Sequence, residues 1–298
     1  MDGRSATLSI GLPNFGGWIG GDWSGLLDLA RAADDAGVDR IIVNDHVVMG
    51  RNTDAYVWGR FPTGPEAPWL EPFTCLAAIA AITTRIRLGT GIVIAPLRPA
   101  VVLAKTVATL DVLSGGRVDL GVGVGWQREE YDAEGLDFAK RGQLLDDTMG
   151  ACRELWSQLP ASYKSETVTF EDIFCSPQPL QPRLPLWFSG TLNARQRRRI
   201  VDLGDGWIPI MGATVEDIQL GATQLREDGG RAIGVRAPLR PVSADGALDV
   251  SATMDGVPSL LAAGATDIYL YAATIASEPK AVAQLLPRVV AAFREASK

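Results

Sequence analysis

The chain contains one histidine, His46, in the run Asn44-Asp45-His46-Val47. Imidazole titrates near neutral pH and can give or take a proton there. With one such ring, multi-histidine metal centres are excluded, no metal is expected, and any imidazole chemistry must pass through His46. The neighbouring Asp45 could orient that ring or bond the edge of a ligand. A second candidate is LSGGRVDLGVGVGWQREEY, residues 113–131. Gly121, Gly123 and Gly125 alternate with Val122 and Val124, so in a strand the three glycines share one face. Glycine weakens a strand, and a bare strip must therefore serve a neighbour. A flat ligand and a closely packed element are both possible, and spacing alone leaves them level. The third candidate is SGTLNARQRRR, residues 189–199. Ser189, Gly190 and Thr191 precede a helix whose free amides suit a phosphate. For Arg195, Arg197, Arg198 and Arg199 a solvated helix face is the favoured reading over contact with an anionic tail.

Strand-like and helix-like segments alternate around these residues. Strands are expected at 6–12, 39–44, 85–94, 118–125, 184–190, 205–210, 237–244 and 264–272. Helices are expected at 24–37, 72–83, 100–113, 141–158, 192–204, 215–228 and 278–296, the last containing Pro287. Eight strands alternating with helices predict an α/β fold, a (β/α)8 TIM barrel in one domain spanning 1–298; a doubly wound sheet is the competitor. Two connections exceed ordinary loop length. The first, 46–71, follows strand two at the face where such barrels do chemistry, and its Tyr56, Trp58, Phe61 and Trp69 either roof a substrate pocket or simply cover the barrel mouth. The second, 159–183, is an insertion between helix four and strand five, with a hairpin expected in ETVTFEDIFCSP. Asn14, at the end of strand one, is placed to face the pocket, and Asn14, Trp58 and Trp69 are the candidate substrate contacts.

Composition narrows the function classes. The net charge is −7 and the pI about 4.9, which argues against nucleic acid or an anionic membrane as partner. No apolar run reaches the roughly 20 residues of a span, and the amino end has no export-signal layout. Three scattered cysteines give neither a disulfide framework nor a zinc site and fit a reducing cytoplasm. The expected partner is a small-molecule substrate in a cytoplasmic protein. The glycines are spaced G-x-G-x-G on a fourth strand rather than G-x-G-x-x-G opening a first helix, a poor match to a nicotinamide dehydrogenase.

Residues 103–142, LAKTVATLDVLSGGRVDLGVGVGWQREEYDAEGLDFAKRG, closely resemble the central signature of the luciferase-like flavin and deazaflavin oxidoreductases. So do NDHVV (44–48), RIRLGTGIVIAP (85–96) and PLWFSGTLNARQRRRIVDLGDGWIP (185–209). The resemblance implies a barrel, an isoalloxazine-type ring at the carboxyl ends of the strands, and a homodimer. The GVGVGW form with an Asp-His pair looks most like the branch using coenzyme F420; FMN is the alternative cofactor. The resemblance further implies ring contacts at Asp45, Gly123, Val124, Gly125 and Trp126, phosphate contacts at Ser189, Gly190 and Thr191, and a non-proline cis peptide at the positions of Gly91 and Ile92. It makes His46 the catalytic residue. In F420-using sugar-phosphate dehydrogenases a matching His works with a Glu ending strand four. Trp126 stands there instead, which argues against that activity, and Glu129 and Glu130 sit a helical turn further on. Glu129, Glu130, Arg141 and Asp146 are family-like positions that a charged network clamping helix four explains equally well. The expected function is hydride transfer between C5 of F420 and a carbonyl, imine or activated alkene. The rivals are an FMN-dependent monooxygenase supplied by a flavin reductase and a flavin-binding protein without turnover.

Overall fold

Strand sequences with apolar residues at every second position need cover on one face. Here eight short parallel strands obtain it from a ring of helices. In a computed structural model, which describes residues 6–16, 23–59, 61–229 and 232–298, these strands are β1 (Thr7–Gly11), β2 (Arg40–Val43), β3 (Arg87–Thr90, resuming at Val93–Ile94), β4 (Val118–Gly123), β5 (Leu186–Ser189), β6 (Gly206–Ile208), β7 (Gly234–Pro238) and β8 (Asp267–Tyr271). Each pairs in parallel with its neighbours, β1 meets β8, and β3 meets β4. The tube is closed, and the fold is a TIM barrel. The first five residues, part of the amino end read above for an export signal, lie outside the described residues. Among the described residues no helix is long and apolar enough to cross a membrane.

The register sorts each strand into two faces. Leu8, Ile10, Ile41, Val43, Leu120, Val122, Leu186, Phe188, Ile268 and Leu270 point outward into one continuous core shared with the helices. The inward set is polar at the base. The Arg40 guanidinium bonds Asp119 at 2.6 Å and Asp267 at 2.8 Å, Arg87 bonds Asp119 at 2.6 Å, and Arg236 bonds Asp267 at 2.6 Å. Ser9 donates to Asp267 at 2.7 Å. Buried charges persist only when paired in this way. The Trp187 indole lies across the same lumen with the Arg236 guanidinium 4.8 Å from its ring centre. A Cβ at Gly234 would come within 2.6 Å of that indole, and one at Gly206 would overlap it. Small residues on β6 and β7 thus make room for one large ring.

Element positions follow the sequence reading with four departures. The third strand breaks at the Gly91–Ile92 peptide, which is cis as the resemblance implied. The seventh strand lies at 234–238, ahead of the expected 237–244, because Val235 and Ala237 supply the outward apolar pair while residues 243–248 form a separate two-stranded turn. Short helices at 128–133, 250–254, 257–262 and 272–275 were not anticipated. The insertion carries an antiparallel hairpin, but it pairs Ala161–Lys164 with Thr169–Ile173, so only its second strand falls in the run where the sequence placed the whole hairpin.

The glycine strip has a close neighbour, one of the two readings that its spacing left level. A Cβ on Gly121 would overlap the Thr90 carbonyl. One on Gly123 would come within 3.1 Å of the Ile92 side chain, and one on Gly125 within 3.0 Å of Ile94. The Thr90 hydroxyl also donates to the Gly121 carbonyl at 2.7 Å and accepts from its amide at 2.9 Å. The bare face of β4 therefore admits the broken third strand. On that face a Cβ at Gly123 or Gly125 would meet the Ile92 or Ile94 side chain, and the Val124 carbonyl accepts the Tyr131 hydroxyl at 2.6 Å.

Candidate active site

Strand β2 ends at Val43, and the chain turns so that His46 stands over the carboxyl ends of the strands. Its Nδ1 lies 3.0 Å from Oε2 of Glu130, and both side chains are buried. The other Glu130 oxygen accepts the Val47 amide at 2.9 Å. Gln127, also buried, accepts the Gly50 amide at 2.7 Å and donates to its carbonyl. The short helix Arg128–Ala133 and the Gln127 that precedes it thus fix both the catalytic candidate and the backbone that carries it. An ionised Glu130 requires a proton on Nδ1, which leaves Nε2 as the exchanging nitrogen. The sequence offered Glu130 only as a position one turn removed.

Aromatic rings enclose the imidazole. Trp69 lies edge-on at 4.7 Å, Phe61 at 5.5 Å and Trp126 at 5.8 Å between centroids. Tyr56 packs 5.4 Å from Trp126, and Trp58, partly exposed, packs 5.4 Å from Tyr56. The 46–71 connection therefore folds over the mouth and against Trp126 rather than extending from it. Phe15 stacks between Trp69 at 4.3 Å and Tyr271 at 6.5 Å. Two polar atoms of this wall, Trp69 Nε1 and the Tyr271 hydroxyl, are buried with no hydrogen-bond partner among the described residues. A buried unpaired donor costs about 1–3 kcal/mol. The mouth is thus built with hydrogen-bonding demand that a flat heterocycle bearing ring nitrogens and carbonyl edges would meet.

Two residues expected at the pocket are structural. Asp45 accepts both guanidinium nitrogens of Arg98, at 2.6 and 3.0 Å, and the Ile94 amide at 2.9 Å. Its carboxylate anchors the segment after the cis peptide, and Glu130 is the group that orients His46. Asn14 is fully buried and joins three backbone atoms, donating to the carbonyls of Asn44 and Leu70 at 2.8 Å each and accepting the Asn44 amide at 2.9 Å. It fastens β1 to both ends of the long connection and has no polar atom left for a substrate.

At the opposite rim, Ser189, Gly190 and Thr191 leave β5 with Gly190 at φ 143°, a conformation that excludes larger side chains. Asn193 caps the Ala194–Leu203 helix by accepting the Gln196 amide. Thr191 is exposed, and Ser189 and Gly190 are half-buried, but the Gly190 amide donates to the Ile208 carbonyl at 3.2 Å and is not free for a phosphate. The arginines that follow are not one solvated face. Arg195 and Arg199 both bond Asp146, which joins this helix to Arg141–Ser157; Arg197 pairs with Asp228 and Arg198 with Asp202. Asp146 is thus a clamp, as the charged-network reading allowed, and Arg141 stacks on Phe138 at 4.1 Å. All three cysteines are free and buried. Burial pushes the Cys75 thiol up to about 12, which leaves it protonated and inert.

Residues 11–258 match the family described as luciferase-like monooxygenase. An uncharacterized protein of Mycobacterium tuberculosis is 37% identical over 139 residues, 47% of this chain and 49% of that protein, so the chain spans about half the length of this relative. Among solved structures, an F420-dependent secondary alcohol dehydrogenase in complex with an F420-acetone adduct superposes with a TM-score of 0.77 at 16% identity, covering 98% of this chain and all of that one. A monooxygenase from Streptomyces bottropensis superposes with a TM-score of 0.74 at 20% identity, covering 96% and 97%. At such identities these likenesses establish the fold.

Proposed function

The chain belongs to the luciferase-like monooxygenase family, and on that premise we propose that it is an F420-dependent oxidoreductase moving a hydride between the deazaflavin and a small carbonyl, imine or activated alkene. The observation that carries the reading is the buried His46–Glu130 pair at the barrel mouth, 3.0 Å apart inside an aromatic wall. When bound, the deazaflavin supplies a hydride donor or acceptor, and the protein has to manage one accompanying proton. Glu130 holds the imidazole by Nδ1 and leaves Nε2 to give or accept that proton. Phe61, Trp69 and Trp126 exclude water from it, which strengthens the electrostatics of the pair. The backbone at Gly91 and Ile92, the Trp126 ring and the turn Ser189–Thr191 are the residues that would hold the cofactor. The unpaired Tyr271 hydroxyl and Trp69 Nε1 are suited to its polar edge.

A second reading, an FMN-dependent monooxygenase supplied by a reductase, is favoured by the structural neighbour that is itself named a monooxygenase. Titration of the purified protein with F420 and with FMN separates the two. The F420 reading expects the lower dissociation constant for F420, and a preference for FMN by tenfold or more overturns it. His46→Ala then reports turnover: an F420-loaded protein that reoxidises no faster than this variant across a panel of carbonyls, imines and activated alkenes is a binder without catalysis.

A further inference from the structure

A cavity of about 470 Å³ opens within the 46–71 connection. Two of its lining residues also belong to the wall around His46. Phe61 lies 5.5 Å from the imidazole and 5.1 Å from Trp126, and Tyr56 lies 5.4 Å from Trp126. A molecule in the cavity is therefore separated from the imidazole by one ring. Among the described lining residues the charge is of one sign. Asp54 lines the cavity and no cation among the described residues pairs with it; the Glu66 carboxylate folds back against Gly64, another lining residue, and is likewise unpaired among them. The Thr63 hydroxyl is buried there with no hydrogen-bond partner among the described residues. Aromatic faces carry negative potential and favour cations, carboxylates add to it, and an unpaired buried hydroxyl asks for a partner.

We infer that this cavity is a substrate subsite for flat aromatic or heteroaromatic molecules bearing a protonated or N–H nitrogen on one edge. The inference rests on the proposed function and deepens it: the subsite holds a part of the substrate that lies one ring away from His46 and does not itself react there. The ring of such a molecule lies against Phe61 and Tyr56, and its nitrogen edge turns to Asp54 and Thr63. An anionic molecule of the same shape is rejected by Asp54 and Glu66. The cavity's size suits two or three fused rings, within the range of small-molecule sites.

The test measures binding to the full chain without any cofactor, by calorimetry, for three bicyclic probes of like shape: 4-aminoquinoline, cationic at neutral pH; neutral 1-naphthol; and anionic 1-naphthoate. The expected order of affinity is 4-aminoquinoline, then 1-naphthol, then 1-naphthoate. Asp54→Asn is expected to weaken 4-aminoquinoline about fivefold, the scale of a partly exposed charge pair, and to leave 1-naphthol within twofold. Thr63→Val probes the same edge without changing charge and is expected to weaken the two donor-bearing probes only. Phe61→Leu is expected to weaken all three. Equal or tighter binding of 1-naphthoate, or an Asp54→Asn variant whose affinity for 4-aminoquinoline stays within twofold, overturns the inference. Because F420 is absent, this failure is separate from a failure of F420 to bind, which bears only on the proposed function.

Discussion

At the scale of single residues, the site depends on one contact between segments 84 positions apart, His46 Nδ1 to Glu130 Oε2 at 3.0 Å. On the proposed function Glu130 acts through His46, which it bonds along with the Val47 amide, and is a positioning residue. Glu130→Gln keeps an oxygen for the Val47 amide but removes the charge that holds a proton on Nδ1. Its expected effect is a fall in kcat of roughly tenfold or more, within the range of general acid–base contributions. A shifted pH–rate profile is expected with it, while affinity for F420 stays within twofold. A merely structural role predicts the reverse, weaker cofactor binding with an unmoved profile, so paired stopped-flow and titration data decide. His46 was legible in the sequence because it is the lone imidazole and follows a strand. Its partner was not, because a carboxylate one turn into a helix reads as an ordinary N-terminal acid. Asn14 and Asp45 were misread for the opposite reason. Their positions at strand ends are right, but polar groups at a barrel mouth also have to satisfy loop backbone, and both are fully used in doing so.

At the scale of elements, the strand and helix pattern gave the barrel because outward apolar residues recur with period two on each strand. The same pattern was silent on what faces inward. For β4 it left ligand and neighbour level, and the neighbour occupies the face: Thr90, Ile92 and Ile94 fill the space opposite Gly121, Gly123 and Gly125. Close approach of β3 to β4 is thus a property of the glycines, and it can be broken singly. In Gly121→Ala the new methyl overlaps a backbone carbonyl, which cannot swing aside as a side-chain tip can. Overpacking of this kind costs about 1–3 kcal/mol and sometimes more, so a loss at the upper end of that range is expected in urea unfolding. Gly142→Ala is the control. Its nearest foreign atom is 3.6 Å away in the Arg195 guanidinium, and it lies in a helix. That variant is expected to be neutral or stabilised by up to about 1 kcal/mol. Equal effects of the two substitutions would show that β4 can slide away from β3, and that the contact sets nothing.

At the scale of the whole molecule, the chain is acidic overall yet keeps a paired set of arginines and aspartates at the base of the tube. The aspartates are charged there despite their burial, because burial, which raises their pKa, is outweighed by the guanidiniums of Arg40 and its neighbours. Asp119 is held down to about 2, and Asp267 is lowered by Arg40 and Arg236. Asp34 and Asp205 are lowered as well, by backbone amides and by arginine partners respectively. A carboxylate depressed in the folded state stabilises it above the unfolded pKa, here 3.8, and that contribution disappears as pH falls through the folded value. For Asp119 the contribution is on the order of 2 kcal/mol. The melting temperature should therefore be flat above about pH 5 on account of these groups and fall steadily between about pH 4 and pH 2. Asp119→Asn separates the charge from the packing. It should melt lower at neutral pH, since Arg40 and Arg87 lose a buried partner, a loss of about 3–5 kcal/mol. It should also show a shallower decline between about pH 4 and pH 2, because one fewer proton is taken up on unfolding. An unchanged slope in that variant would mean that Asp119 is not the group whose protonation opens the base of the barrel, and would transfer the acid sensitivity to Asp267.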